Sequence, residues 1–208
     1  MLITISRQYG AGGSEIARRV AVALGWRLVD NELVEEVAAR AGVPAEQVAE
    51  REERAPSFVE RLARTLAAST PELFSAVPGG TFPKLQEADL VRITESVVAE
   101  VAAKGRVVLV GRAAPAVLAQ ERESIHVKVV APKPYRIRAA AARLGADPQK
   151  AGAAVEESDA TRARYHRQYY RRDWNDPVNY HLVLNTEALG LDGATDVIVA
   201  RARALGWT

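Results

Sequence analysis

The residues best suited to chemistry stand near the start of the chain, where an apolar run, Leu2-Ile3-Thr4-Ile5, passes through Ser6-Arg7-Gln8-Tyr9 into Gly10-Ala11-Gly12-Gly13-Ser14. Apolar positions Ile16, Ala17, Val20, Ala21 and Leu24 then recur at helical spacing. The pattern predicts a strand, a glycine loop and a helix whose first N–H groups face an anion. Three glycines in four residues let the backbone curl around a phosphate that a β-carbon would hold off. Against the phosphate-loop pattern GxxxxGK[ST], Gly12 and Ser14 fit, Arg7 takes the place of the first glycine, and Gly13 takes that of the lysine. A transferase reading must therefore find its cation elsewhere. Arg7 is a candidate for that role; it is equally a candidate to neutralise Glu15 or Asp30. The alternative is a strand-to-helix turn that binds nothing.

A second concentration of chemistry runs from Asp159 to Trp174, DATRARYHRQYYRRDW, with Arg162, Arg164, Arg167, Arg171 and Arg172 inside eleven residues. On a helix, Asp159, Arg162, His166 and Tyr169 share one face, while Tyr165 and Arg172 share another. Guanidinium groups match phosphate geometry in bidentate fashion and stay charged, so this segment is suited to closing over phosphates. Tyrosines among basic residues also suit nucleic acid. A formal net charge of +2 and little basic surface elsewhere argue against that partner, despite a pI of 9.0. A solvated basic helix is the third reading of the segment.

Elements that can position these residues follow from the apolar runs. Strands are expected near 2–6, 27–29, 107–110, 125–130 and 181–185, with helical patterns between them, which predicts a parallel sheet wrapped by helices. Val107–Val110 and Leu182–Leu184 read as fully buried strands. Ligands gather beyond the carboxyl ends of such strands, here Ser6 to Ser14, Asp30-Asn31, Gly111-Arg112 and Asn185-Thr186. Between Asp30 and Gly105 the helical patterns near 31–41, 45–54, 57–68 and 86–104 predict an inserted helical region, with an exposed flap about Pro71 to Pro83. The run Glu50 to Arg54 reads as a solvated helix face.

A chain of 208 residues, 48% of them hydrophobic, fits a single domain with a sizeable core. Zero cysteines and three scattered histidines, His126, His166 and His181, exclude disulfides and thiolate metal sites, so a metal is expected only with a nucleotide. No apolar stretch approaches the roughly 18 residues of a membrane span, and the protein is expected in the cytosol. Neither composition nor motif sets an oligomeric state.

ITISRQYGAGG at Ile3 to Gly13, LGWRLVDNEL at Leu24 to Leu33, VGRAAP at Val110 to Pro115 and DWNDPVNYHLVLNTEALGLD at Asp173 to Asp192 together resemble the cytidylate kinase-like family, relatives of the nucleoside monophosphate kinases. The resemblance implies an α/β, three-layer P-loop kinase core with a parallel sheet of about five strands, at about 1–30, 105–150 and 175–208. It also implies a helical acceptor-side insert, about 31–104, and an arginine-rich lid, about 151–174. Gly10, Ala11, Gly12 and Gly13 then match the loop that holds the phosphates of ATP, and Ser14 matches the hydroxyl residue that holds Mg2+. Asp30, Arg112 and Asp159 match positions around the acceptor and the lid, with Arg162 and Arg167 as lid arginines beside Arg7 in charge neutralisation. The chain departs from true cytidylate kinases at Gly13 (lysine there), at Ala113 (aspartate) and at Glu35-Glu36 (a tyrosine-arginine pair). The expected activity is transfer of the ATP γ-phosphoryl group to a small acceptor, a nucleoside monophosphate such as CMP among them. The alternative is a non-catalytic nucleotide sensor on the same loop.

Overall fold

In the computed structural model, residues 1–30 and 87–207 are described. The expected insert helices over 31–68 and the flap near 71–83 lie outside them. Five strands, β1 (Leu2–Arg7), β2 (Arg27–Val29), β3 (Val107–Val110), β4 (Ser124–Val130) and β5 (Leu182–Asn185), form one sheet in the order β2-β3-β1-β4-β5. Every pairing is parallel. The described helices are α1 (Gly13–Leu24), α2 (Glu87–Ala103), α3 (Ala114–Val117), α4 (Lys133–Leu144), α5 (Pro148–Tyr170) and α6 (Thr186–Ala204). A 3-10 turn spans Pro177–Asn179.

Strand alternation divides the sheet into two faces. Ile3, Ile5, Ile125, Val127 and Val129 face α1 and α6, meeting Ile16, Val20, Ala194 and Ile198. Leu2, Val29, Val107 and Leu109 face Val97, Val98 and Val101 of α2. The helical pattern near 86–104, expected as part of the insert, is therefore a layer of the core: Val97, Val98 and Val101 are buried against the sheet. Edge position accounts for a second difference. β5 pairs only with β4, so Val183 is exposed and Leu184 alone of that strand is fully buried, whereas β3, flanked on both sides, is buried throughout.

The second face carries polar groups beside the α2 core. Thr4, Ser6, His126 and Lys128 are all buried there. His126 has its ring nitrogens 2.8 Å from Thr4 Oγ1 and 3.2 Å from Ser124 Oγ, and its ring stacks on His181 at 4.9 Å. Burial, then the neighbouring His181, pushes the His126 imidazole down to about 4. Burial does the same to His166, with Lys128 and Arg172 adding to it.

The unfolded chain, with ordinary histidines, binds more protons than the fold as pH falls from 6.5 toward 4. The stability these neutral rings contribute is complete above pH 6.5 and is lost over that window. Melting temperatures measured from pH 7 to pH 4 should fall steeply, and His126→Gln, which keeps polar partners for Thr4 and Ser124, should flatten the slope. An unchanged slope in that variant would remove His126 from the acid response.

Candidate active site

The loop between β1 and α1 is shaped by two glycines in the left-handed region, Gly10 at φ 79° and Gly12 at φ 81°. At Gly10 a β-carbon would stand 2.5 Å from the Arg136 carbonyl oxygen, and at Gly12 the same distance from Leu191 Cδ2. Gly12 is the N-cap of α1 and supplies no side-chain cap. The first intrahelical bond across the cap runs from Ile16 N–H to the Gly12 carbonyl, so the N–H groups of Gly13, Ser14 and Glu15 point beyond the helix end. They open into a cleft of about 540 Å³ whose walls include Arg7, Asp30, Arg112, Arg143 and Arg162, with Ser14 exposed in it.

Arg7 fills the space that the loop lysine would need. A β-carbon on Gly13 would collide with Arg7 Cβ, and one on Gly111 with the Arg7 guanidinium. The side chain thus runs from the loop across the ends of β1 and β3, reaching 4.0 Å from Asp30 Oδ1. Of the two acidic partners expected for it, Asp30 is the one it approaches. Glu15 instead binds Arg18 and Arg19 on its own helix at 2.7 Å, bonds that hold its carboxyl down to about 2.

Asp159 belongs to the loop's support. Its Oδ1 accepts from the Tyr9 backbone N–H at 2.9 Å and lies 3.6 Å from Arg162 Nη1, while Oδ2 accepts from Arg136 Nη1 at 2.6 Å. Arg136 also donates to the carbonyls of Ala131 and Tyr9. From the other side, the Thr186 hydroxyl donates to the Ala11 carbonyl at 2.9 Å. The expected strand-end site at Asn185-Thr186 therefore anchors the loop, with Asn185 capping α6.

Helix α5 is continuous across Gly152, so the expected lid starts inside a helix that Asp147 caps. Arg162 reaches both the large cleft and a cavity of about 40 Å³ lined also by Arg7, Arg112, Tyr165, His166 and Trp174. Arg164 and Arg167 are exposed and line neither. Arg171 caps the helix in the left-handed region, which puts Arg172 beyond it, where its guanidinium donates to the Pro115 carbonyl at 3.4 Å. After β3, Gly111, Arg112 and Ala113 are all left-handed, at φ 74°, 55° and 49°. Two residues with β-carbons in that region cost of order 1–3 kcal/mol each. That strained turn presents Arg112 to both cavities.

These features combine a parallel sheet in the order 2-3-1-4-5, a glycine loop opening α1, and arginines from β1, the β3 turn and α5 around one cleft. A cytidylate kinase-like family model matches residues 2–188. The chain belongs to the cytidylate kinase-like family. No curated protein sequence matches it significantly. Among solved structures, an uncharacterized protein from Eubacterium ventriosum is similar at a TM-score of 0.68 and 20% identity, covering 97% of both chains. Shikimate kinase from Bacteroides thetaiotaomicron follows at 0.53 and 15%, covering 99% of this chain and 97% of that one. Shikimate kinase from Acinetobacter baumannii, solved with shikimate, gives 0.51 and 12%, covering 98% and 92%. This family member thus has the P-loop kinase fold. No helix among the described residues is long and apolar enough to cross a membrane.

Sequence reasoning missed Arg136, Arg143 and Trp174 as parts of the site. Arg136 sits in a helix that reads as ordinary, and only the fold brings it to Tyr9 and Asp159.

Valine at position 12 would meet both Leu191 and an unfavourable backbone region. Gly12→Val should therefore lose stability on the order of 1–2 kcal/mol from backbone strain alone, together with ATP affinity, as read by melting and calorimetric titration. Gly25→Val is the control: φ there is also positive, at 64°, with nothing crowding the position, so stability should fall while ATP affinity holds. Equal affinity in both variants would take the loop out of the site.

Proposed function

We propose that this protein transfers the γ-phosphoryl group of ATP to a small acceptor, a nucleoside monophosphate such as CMP being the first to test. The reading rests on one observation above all: a helix N-terminus with its glycine loop faces a cleft whose described lining carries Arg7, Arg112, Arg143 and Arg162 beside Asp30 and Glu15, with Asp159 behind Arg162. Such a cleft suits a polyanion. Phosphoryl transfer asks for alignment and charge neutralisation more than for covalent chemistry.

In this scheme the N–H groups of Gly10, Gly12, Gly13 and Ser14 hold the donor phosphates, as the glycine conformations and the clear helix end allow, while the Ala11 N–H is turned to the Gln8 carbonyl. The exposed Ser14 hydroxyl is placed to hold Mg2+, which supplies further charge neutralisation when bound with ATP. Arg7 provides the fixed cation beside the loop, and Arg162 the one that comes from α5. Asp30 and Arg112, at neighbouring strand ends, orient the acceptor. Asp159 acts through Tyr9 and Arg136 to keep the loop in register with α5. Arg167 has an exposed position and enters the scheme only if α5 moves. In this reading residues 151–174 form the lid.

Arg7→Ala should depress turnover by the order of 10²-fold, as loss of one charge-stabilising donor does, measured as ADP release with ATP, magnesium and a panel of nucleoside monophosphates and small alcohols. Gly13→Lys alone should misfold the loop against Arg7. The pair Arg7→Gly and Gly13→Lys, which converts the stretch to GxxxxGKS, should recover both fold and turnover. Wild-type rates in Arg7→Ala would assign Arg7 to Asp30 alone. ATP binding without turnover on any acceptor would favour the sensor.

A further inference from the structure

Lys128 lies in the middle of β4, 1% exposed, in register with Ser6 on β1 and Val183 on β5. No step of the proposed transfer uses it. Its ammonium donates to the Trp174 carbonyl and, at 3.0 Å, to Asn175 Oδ1. It also stands 3.7 Å from the centroid of the Trp174 ring and 5.2 Å from that of Tyr180. A methionine would fill this space without desolvating a charge, so a buried ammonium here is a poor choice for stability alone. The indole it holds forms a wall of the 40 Å³ cavity shared with Arg7, Arg112 and Arg162. Trp174 is further tied to the sheet by its Nε1–H, which donates to Ser6 Oγ at 2.8 Å, and it follows the end of α5 by four residues.

We propose that Lys128 is a positioning residue for the transfer site: by pinning the carbonyl and ring of Trp174 it fixes the wall behind Arg112 and Arg162 and the end of the helix that carries Arg162. The cation–π contact and one hydrogen bond act on Trp174 and the second hydrogen bond on Asn175 next to it, so removing the charge frees the wall without emptying the core. The kinetic part of this inference rests on the phosphotransferase reading; the structural part does not.

Around the ammonium stand Asp159, Arg162 and His166 from α5 and Asp173 and Tyr180 from the segment after it, with Ser6 in register on β1. Burial pulls Lys128 down to about 8, opposed by Asp159 and Asp173 and assisted by Arg162. His126 and His166 are held near 4 and Tyr180 is pushed up to about 12, chiefly by burial, so of these shifted groups Lys128 is the one that titrates between pH 7 and 9. Above pH 8 the fold sheds this proton more readily than the unfolded chain, whose lysine keeps it to 10.5. Over that window the lysine's contribution to stability rises with pH while the pin weakens, so activity and stability part company.

The chain has three tryptophans, and Trp26 and Trp207 stack on each other at 6.0 Å. With both replaced by phenylalanine, Trp174 emission reports the pin directly; if that background does not fold, the difference between wild type and Trp174→Phe reports it. Emission should change with a midpoint near pH 8 and the change should vanish in Lys128→Met. In steady-state kinetics Lys128→Met should lower kcat about tenfold or more with little change in the KM for ATP, and should lose the alkaline limb near pH 8. Lys128→Arg, which keeps the charge, should restore part of the rate and shift that limb out of the measurable range. A flat Trp174 emission from pH 7 to 9, or a Lys128→Met variant that melts earlier but turns over at the wild-type rate, would overturn the proposal. Absence of turnover in the parent protein would defeat the phosphotransferase reading and leave the emission titration to decide the pin.

Discussion

The ion pair between Arg136 and Asp159 is the interaction on which the candidate site depends. It joins α4 to α5, and the loop is hung from it: Tyr9 gives its N–H to the carboxylate and its carbonyl to the guanidinium. Both side chains are largely withdrawn from water, at 8% and 18% exposure. Breaking such a pair by removing one partner costs about 3–5 kcal/mol, because a charge is left buried and alone. A glycine loop has little shape of its own, since its residues lose the most freedom on ordering. Here the order is imposed from outside, by Asp159 and Arg136 on one flank and by Thr186 and Leu191 on the other. The loop is consequently held in shape by its neighbours, while Gly10, Gly12 and Gly13 carry no side chains into the cleft.

Close approach governs the rest of the site in the same way. Gly13 and Gly111 flank the Arg7 side chain, and neither position has room for a β-carbon. With the Arg7 side chain in this place, position 13 has no room for a side chain of its own. Position 7 lies on a strand rather than a helix, so the cation enters from the sheet side of the loop and ends beside Asp30. Arg7 thus lines the cleft from the strand side.

Much of this could be read from the sequence. The five strands fall within a residue or two of expectation because fully buried parallel strands write themselves as short β-branched runs, and the glycine loop announces itself by composition. What eluded the sequence has physical causes. β5 is apolar enough to read as buried, but an edge position is a property of topology, and Val183 pays for it with exposure. Residues 86–104 carry a helical period that says nothing about which body the helix covers; only its packing on Leu2, Val29 and Leu109 assigns it to the core. A helical wheel separates Arg162 from Arg167 without saying which of the two sides is buried. They differ because α5 lies with the Asp159–Arg162–His166 face inward, a rotation set by Asp159's partners 150 and 23 residues away.

The carboxyl-terminal stretch from Asp173 to Asp192 illustrates why a long pattern is more specific than a short one. Each part has a distinct physical task. Asp173 and Asp176 close turns on the N–H groups of Asn175 and Val178, Trp174 and Tyr180 cover the polar face of the sheet, and Tyr180 shares the Trp174 carbonyl with Lys128. Thr186 holds the Ala11 carbonyl, and the non-helical Gly190 lets the chain bend so that Leu191 reaches Gly12 and Asp192 reaches Arg19. One continuous segment therefore connects the end of the arginine-bearing helix, the buried lysine of the sheet and the glycine loop. Because each of those contacts needs a particular residue type, replacing Trp174, Tyr180, Thr186 or Leu191 would release one of the three.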